Sequence, residues 1–328
     1  MSRKLFLSAL GLLCAAVLTG CGNNIHSNSI KASGEDENRL DIVCTVFPGY
    51  DWVRNILGEH ENEVNLTYLL SNGNDMHSFQ PSAEDIIKIS SCDIFLYTGG
   101  ESEYWVDDVL ENAVNKNMRI INLIDILGSS AVEEELKEGM QSDEDCDEDK
   151  EYDEHTWLSL KNAEIFCDEI ENALSAADPE NSADYENNLN KYKSGLESLD
   201  EKFTVLFENM QEKTLIFADR FPFRYFTEDY GLDYYAAFLG CSADIEASFE
   251  TVAFLSGKID ELGCNAVFEL ESSDGSVARA VVDNCKNKNC DMVKLNSIQS
   301  VRKKDIQDGT NYLSLMNENY NLIKEHLS

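Results

Sequence analysis

Two histidines occupy positions at which an imidazole ring could bind a metal ion. His77 lies in the polar stretch 73–81 and His155 in the stretch 152–159, each between predicted strands and helices. Imidazole is a common ligand for borderline metals, and ligands of open α/β sheets bind beyond the strand ends, where loops converge. Taken singly, each histidine is more typical of a surface residue than of a ligand. The remaining histidines lie in the N-terminal polar stretch, in a polar loop and near the C-terminus: His26, His60 and His326.

Motifs of the common metal-dependent and nucleophilic enzymes are absent from the sequence. Neither His-Glu-x-x-His nor Gly-x-Ser-x-Gly occurs, so no nucleophile or metal-bound water is placed beside a general base. Gly-x-x-x-x-Gly-Lys is also absent, so the chain has no loop for the phosphates of ATP. We therefore predict a binding protein and not an enzyme, and we assign any ATP hydrolysis to partner subunits.

The charge balance favours small cations as partners. The 328 residues include 62 Asp and Glu but only 26 Lys and Arg, which gives a formal net charge of −36. Such a surface repels nucleic acid, whose binding depends on Lys and Arg, and it does not adsorb to anionic lipid headgroups. It attracts cations instead. The 43% hydrophobic content is enough for one large or two ordinary domains.

The first residues have the features of a secretory signal. A short basic head, Ser2–Lys4, precedes an apolar run, Leu5–Leu18, that is too short to span a bilayer comfortably. The run ends in Leu18-Thr19-Gly20-Cys21, a lipobox pattern in which cleavage before Cys21 frees its thiol for a lipid. We expect a signal peptide at 1–20, lipidation of Cys21 and a flexible tether to residue 39, so that the protein is held at the outer face of the cytoplasmic membrane.

The other cysteines do not predict a metal site. Cys44 and Cys92 lie in strand-like apolar runs and are expected to be small buried residues. Cys285 and Cys290 could form a disulfide bond, but a sequence does not fix connectivity. Because no Cys-x-x-Cys pair occurs, we do not expect a thiolate zinc site.

Two series of alternating strands and helices predict an α/β fold with two lobes, each built on a parallel sheet. Residues 40–180 form the N-terminal lobe and residues 213–328 the C-terminal lobe. Between them, 181–212 carries apolar residues at helical spacing and predicts one long rigid helix that joins the lobes. The segment 133–154 interrupts the first lobe with thirteen acids and two lysines, and we expect it to be a solvated acidic loop.

Five motifs resemble the solute-binding proteins of zinc and manganese ABC transporters, the cluster A-I metal-binding family. They are Val46–Asp51, Asp75–Ser82, Asp153–Ser159, Phe223–Phe226 with Tyr230–Leu232, and Cys241–Ser248. The second and third look like the family's first two ligand loops, the third being usually Asp-Pro-His-x-Trp. The resemblance covers residues 40–327 and implies two lobes bridged by a helix, with the metal between them. It also implies that His77 and His155 are ligands.

The third ligand position departs from the family pattern. Counting back from Tyr230-Gly231-Leu232, the residue that is usually His or Glu is Arg220, whose guanidinium cannot coordinate a cation. Asp219 could supply an oxygen instead, and we predict it as a ligand. The alternative is that Asp219 and Arg220 form an ion pair in a loop.

The fourth position departs as well. Asn296 aligns with an aspartate that part of the family uses, but an amide is a poor anionic ligand. Glu271, which follows the predicted strand 266–270, is the better candidate. Glu269 should lie deeper in the sheet, and Glu246 could brace Arg220 or Arg224.

These observations predict a lipoprotein that captures Zn²⁺ and hands it to an ABC permease and its ATPase. Imidazole and carboxylate ligands suit Zn²⁺, and a carboxylate-rich set would also suit Mn²⁺. A manganese carrier and a surface adhesin with a structural metal are the alternatives. We expect a monomer whose rigid connecting helix permits only a small hinge motion.

Overall fold

The computed structural model describes residues 39–141, 151–210, 212–242, 246–286 and 288–327. The predicted signal peptide, Cys21, the tether as far as residue 38 and the acidic residues 142–150 lie outside these ranges. Within the described part of the chain, no helix has the length and apolar character needed to cross a membrane. The described residues from 39 onward belong to one compact unit.

The first half alternates strands and helices from residue 40 onward. Its elements are β1 Leu40–Cys44, α1 Phe47–Leu57, β2 Val64–Tyr68, α2 Ala83–Ser91, β3 Ile94–Tyr97, α3 Trp105–Glu111, β4 Arg119–Asn122, α4 Leu123–Leu127 and α5 Leu160–Ala177. Helix α1 begins at Phe47 because Pro48 stands in its first turn, where a missing N–H costs nothing. Helix α2 begins as predicted, since Ser82 and Asp85 form a reciprocal capping box.

The second half repeats the same alternation after a long helix, α6 Ser182–Glu208. The elements that follow are β5 Thr214–Phe221, α7 Arg224–Tyr230, β6 Asp233–Leu239, α8 Phe249–Leu262, β7 Ala266–Leu270, α9 Ser276–Asn284, β8 Asp291–Leu295, α10 Lys303–Gln307 and α11 Tyr312–Leu327. Each half contains one four-stranded parallel sheet, of order β2-β1-β3-β4 and β6-β5-β7-β8. The predicted fold class, α/β with two parallel sheets and a connecting helix, is confirmed.

Helix α6 buries one continuous stripe of side chains against both halves. The stripe recurs every three or four residues, the spacing of one helix face, and consists of Tyr185, Leu189, Tyr192, Leu196, Leu199, Phe203 and Phe207. The helix contacts α1 and α5 of the first half and α7 and α11 of the second. One hydrophobic cluster therefore runs through both halves, from Ile42 to Ile323.

Strand ends position the residues of the candidate site and its neighbourhood. His77 follows β2, Arg220 lies near the end of β5, and Cys241, Glu271 and Asn296 follow β6, β7 and β8. In a parallel sheet all carboxyl ends lie at one edge, so these residues are delivered to the same side of each sheet.

Candidate metal centre

The His77 loop is held by a carboxylate at its start. A single 3₁₀ turn, Met76–Ser78, carries His77, and the Oδ1 atom of Asp75 accepts a hydrogen bond from the backbone N–H of His77 at 3.0 Å. The same carboxylate reaches the second half of the chain. It accepts hydrogen bonds from Gln299 Nε2 at 2.7 Å and from Arg220 Nη2 at 2.8 Å. The loop that carries His77 is thus fixed by side chains of the second half.

His155 is buried, and both its backbone and its ring are bound by one carboxylate. Asp153 Oδ1 accepts a hydrogen bond from the His155 N–H at 2.7 Å and lies 3.0 Å from His155 Nδ1. Two residues later, the indole N–H of Trp157 donates to the carbonyl oxygen of Ser297 at 2.8 Å. The hydroxyl of Tyr312 donates to the Trp157 carbonyl oxygen at 2.6 Å. The ring therefore has little freedom to turn.

The two imidazoles face each other through their Nε2 atoms, which lie 3.2 Å apart. Two nitrogens bound to one tetrahedral zinc at about 2.0–2.1 Å are separated by about 3.3 Å. The Nδ1 atoms are occupied elsewhere. That of His77 lies 2.7 Å from Ser102 Oγ and 3.4 Å from Glu154 Oε2. A carboxylate at Nδ1 fixes the proton there and leaves Nε2 free to bind a metal, which is the usual arrangement behind metal-binding histidines.

Buried acids behind the rings set their electrostatics. Burial lowers the pKa of His155, but the charge and hydrogen bond of Asp153, with the charges of Glu154 and Glu134, outweigh it and raise that pKa above its ordinary value. Burial raises the pKa of Glu154, but hydrogen bonds with His77 and Ser102 outweigh it and lower that pKa overall. The site is a locally negative pocket, in which a cation is favoured.

Cys241 is a third side chain at this place that could bind a metal. One ligand atom from each of His77, His155 and Cys241 lies within 4.8 Å of the others, and this is the group of metal-binding side chains found among the described residues. Sequence reasoning missed it because the search was for closely spaced cysteine pairs. The available signal was its position directly after β6, in Leu239-Gly240-Cys241, beside the ends of the other strands.

Asp219 and Glu271 are predicted ligands that the structure does not place in that group. Asp219 uses Oδ1 to accept the Arg220 N–H at 2.8 Å and Oδ2 to accept the Leu270 N–H at 3.1 Å. Glu271 accepts the N–H of Ser297 at 2.9 Å and its hydroxyl at 2.8 Å. Each carboxylate keeps lone pairs that these hydrogen bonds do not use, so coordination by Asp219 and Glu271 stays a prediction.

The other substituted positions have structural partners. Arg220 is paired with Asp75, not with Asp219 as the alternative supposed. Asn296 Oδ1 accepts the N–H of Ile298 at 2.7 Å, in a turn where Ile298 has a φ of +62°. Glu269 is buried within β7, as expected. Within the described ranges the ion pairs of Arg224 are with Glu135 and Glu228, so its predicted brace by Glu246 is not among them.

Known zinc-uptake proteins match this chain over nearly all of the described residues. The family profile described as ZnuA, zinc-uptake complex component A periplasmic, matches residues 42–326. The zinc-binding lipoprotein AdcA of Streptococcus pneumoniae R6 is 28% identical over 320 residues, which cover 96% of this chain and 60% of AdcA. The high-affinity zinc uptake system protein ZnuA of Bacillus subtilis is 25% identical over 317 residues, which cover 96% of this chain and 95% of that protein.

A solved structure shows the same architecture. The Zn(II)-bound ZnuA-like domain of Streptococcus pneumoniae AdcA matches with a TM-score of 0.70 and 26% identity, over 88% of this chain and 99% of that domain. The chain spans 60% of the length of the AdcA relative, so its correspondence is with that ZnuA-like part.

Proposed function

The chain belongs to the zinc-uptake complex component A family, a family of metal-binding transport proteins and not of enzymes, and from that premise we propose that it captures Zn²⁺ outside the cell. The observation that carries the proposal is the pair of facing Nε2 atoms, 3.2 Å apart. That distance is close to the roughly 3.3 Å that a shared tetrahedral zinc requires. His77 and His155 are the proposed ligands.

Delivery would be to an ABC permease whose ATPase subunits supply the energy. The relative from Streptococcus pneumoniae is named a lipoprotein, which supports cleavage after residue 20 and lipidation of Cys21 in this chain. We place the protein at the outer face of the cytoplasmic membrane, as a monomer with an N-terminal lobe at 40–180, a connecting helix at 181–212 and a C-terminal lobe at 213–328. Membrane contact is through the lipid alone.

Zinc is favoured over manganese by the chemistry of the ligands. Two imidazoles suit Zn²⁺, whereas Mn²⁺ is better matched by carboxylate, carbonyl and water oxygens. The two carboxylates predicted as further ligands, Asp219 and Glu271, also accept backbone N–H groups, so the preference for zinc is argued from the imidazoles. A manganese carrier is therefore the second candidate, and the acids around His155 are what favours it.

Competitive titration of the full chain with Zn²⁺ and Mn²⁺ tests this proposal. We expect one tightly bound zinc, and we expect His77→Ala and His155→Ala each to abolish its binding. His60→Ala is the matched control, because His60 pairs with Glu63 and Asp184 away from the site. Tight manganese binding would replace the zinc assignment. Equal binding by all three variants would contradict the site.

Chelation separates transport from adhesion with a structural metal. A carrier must fold without its cargo, so circular dichroism should be unchanged when the metal is removed. Unfolding on chelation would favour the adhesin alternative.

A further inference from the structure

We propose that Cys241 is a ligand of the captured metal, so that the site is His₂Cys; this inference rests on the proposed function. The primary observation is geometric. The Cys241 side chain forms a group with His77 and His155 in which the three ligand atoms lie within 4.8 Å of one another. In a tetrahedral site with Zn–N of about 2.0–2.1 Å and Zn–S of about 2.3 Å, sulfur and nitrogen lie about 3.6 Å apart.

The backbone is shaped to bring this thiol to the rings. A Cβ atom at Gly240 would lie 2.9 Å from the Phe221 carbonyl oxygen and 3.2 Å from His155 Cε1. Only glycine therefore lets the chain pass so close to the His155 ring. The next N–H, that of Cys241, donates to Glu134 Oε1 at 3.0 Å, which fixes the backbone beside the imidazole.

The other described cysteines have a different setting. Cys44, Cys92, Cys167, Cys264, Cys285 and Cys290 are all buried, and each belongs to a hydrophobic cluster. Cys241 is partly exposed and belongs to none of those clusters. A packing role explains the six buried thiols, but it does not explain one that faces two imidazoles.

A thiolate here accounts for the departures from the family pattern. Arg220 cannot bind a cation, and its guanidinium is held by Asp75 instead. Cys241 supplies an anionic ligand from the neighbouring strand, β6, in place of the missing one. Thiolate is a soft ligand that selects zinc and other thiophilic metals against Mn²⁺. A cysteine in place of the usual third ligand therefore also increases the selectivity for zinc over manganese. The fourth coordination position remains for water or an exogenous ligand.

Cobalt spectroscopy reads sulfur ligation directly. Co²⁺ substitutes for Zn²⁺ in tetrahedral sites, and a bound thiolate adds an intense ligand-to-metal charge-transfer band in the near ultraviolet. We expect the full chain loaded with Co²⁺ to show this band and Cys241→Ser to lose it. Cys264→Ser is the matched control, because it also replaces a sulfur by an oxygen, but in a buried cluster outside the site. The charge-transfer band of this variant should equal that of the unaltered chain.

Zinc affinity gives the second readout. Loss of an outer partner costs about 10–100-fold in metal affinity, so loss of a ligand should cost more than about 100-fold. If Cys241→Ser does not fold, the unaltered chain decides the matter through its cobalt band and through protection of Cys241 from alkylation by bound Zn²⁺.

The outcomes separate this inference from the function on which it rests. Absence of the charge-transfer band, or wild-type zinc affinity in Cys241→Ser while His77→Ala and His155→Ala abolish binding, would overturn the thiolate ligand and leave zinc capture standing. Absence of zinc binding by the unaltered chain would overturn both.

Discussion

Replacing Glu154 by glutamine should weaken zinc binding although Glu154 is not a ligand. Its carboxylate is buried, accepts the Ser102 N–H at 2.7 Å through Oε1, and lies 3.4 Å from His77 Nδ1 through Oε2. Glutamine preserves the size and one acceptor. It removes the negative charge, and it can present an amide N–H₂ group to the ring nitrogen, which disfavours the tautomer that leaves Nε2 free.

The size of the effect is set by two considerations. Loss of a partner behind a metal-binding histidine costs about 10–100-fold in affinity, or about 1.4–2.8 kcal/mol. The 3.4 Å contact, the width of the ring and a zinc–nitrogen bond together place the carboxylate about 7 Å from the metal. At that distance a charge of −1 and a charge of +2 attract by roughly 5 kcal/mol at an effective dielectric constant of about 20. We therefore expect at least about a tenfold loss of affinity.

Competition with a chelator of known affinity measures this loss, with isothermal titration calorimetry as a second method. Glu151→Gln is the control, because it makes the same charge change at an exposed residue three positions away. Cobalt absorption would show whether the ligand set itself is preserved in Glu154→Gln. Zinc affinity in Glu154→Gln equal to that in Glu151→Gln would refute the reasoning, since it would mean that the buried carboxylate neither orients His77 nor stabilises the metal.

Three further expectations concern stability and motion. Burial raises the pKa of Asp51 from 3.8 to about 6. The protonated carboxyl group therefore stabilises the fold fully below about pH 4, and this contribution to the free energy of unfolding is lost as the pH rises through about 6. Asp51→Asn should remove about 3 kcal/mol of this pH dependence, as measured by unfolding in urea. Gly100→Ala should destabilise the fold by about 1–3 kcal/mol and weaken zinc binding, because Gly100 has a φ of +86° and a new Cβ would lie 2.4 Å from Glu154 Oε1. Gly128→Ala is its control, with a positive φ but no atom within 4 Å, and equal effects on zinc binding would contradict the steric explanation. Small-angle scattering should give radii of gyration within about 1 Å for metal-free and zinc-loaded protein, since α6 is packed into both halves; a larger change would show hinge opening.

The sequence predicted the elements where local signals agree. Apolar residues at helical spacing predict helix α8, Phe249–Leu262, and a short apolar run predicts β3, Ile94–Tyr97, both with the observed bounds. One bound that differs is the junction of β1 and α1: the apolar pattern predicts a strand over 41–47, but helix α1 already begins at Phe47, because Pro48 favours a helical first turn.

The metal centre was only partly predictable. His77 and His155 could be selected because each follows a recognisable segment in a loop. Asp219 stays a predicted ligand, but its bond to the Leu270 N–H could not be predicted, because it depends on the pairing of strands distant in the chain. Cys241 was not selected as a candidate, because residues brought together by separate strands leave no short spacing to detect.

The last helix has a consequence for when the protein can fold. The N–H of Tyr312, at the start of α11, donates to Asp51 in α1 across 261 residues, and its hydroxyl closes on Trp157 across 155. Contacts of such long separation form late, because the intervening chain must first be brought together. The first half therefore cannot complete its core while α11 is still being synthesised. We therefore expect the core of the first half to be completed only after the final residues have been made.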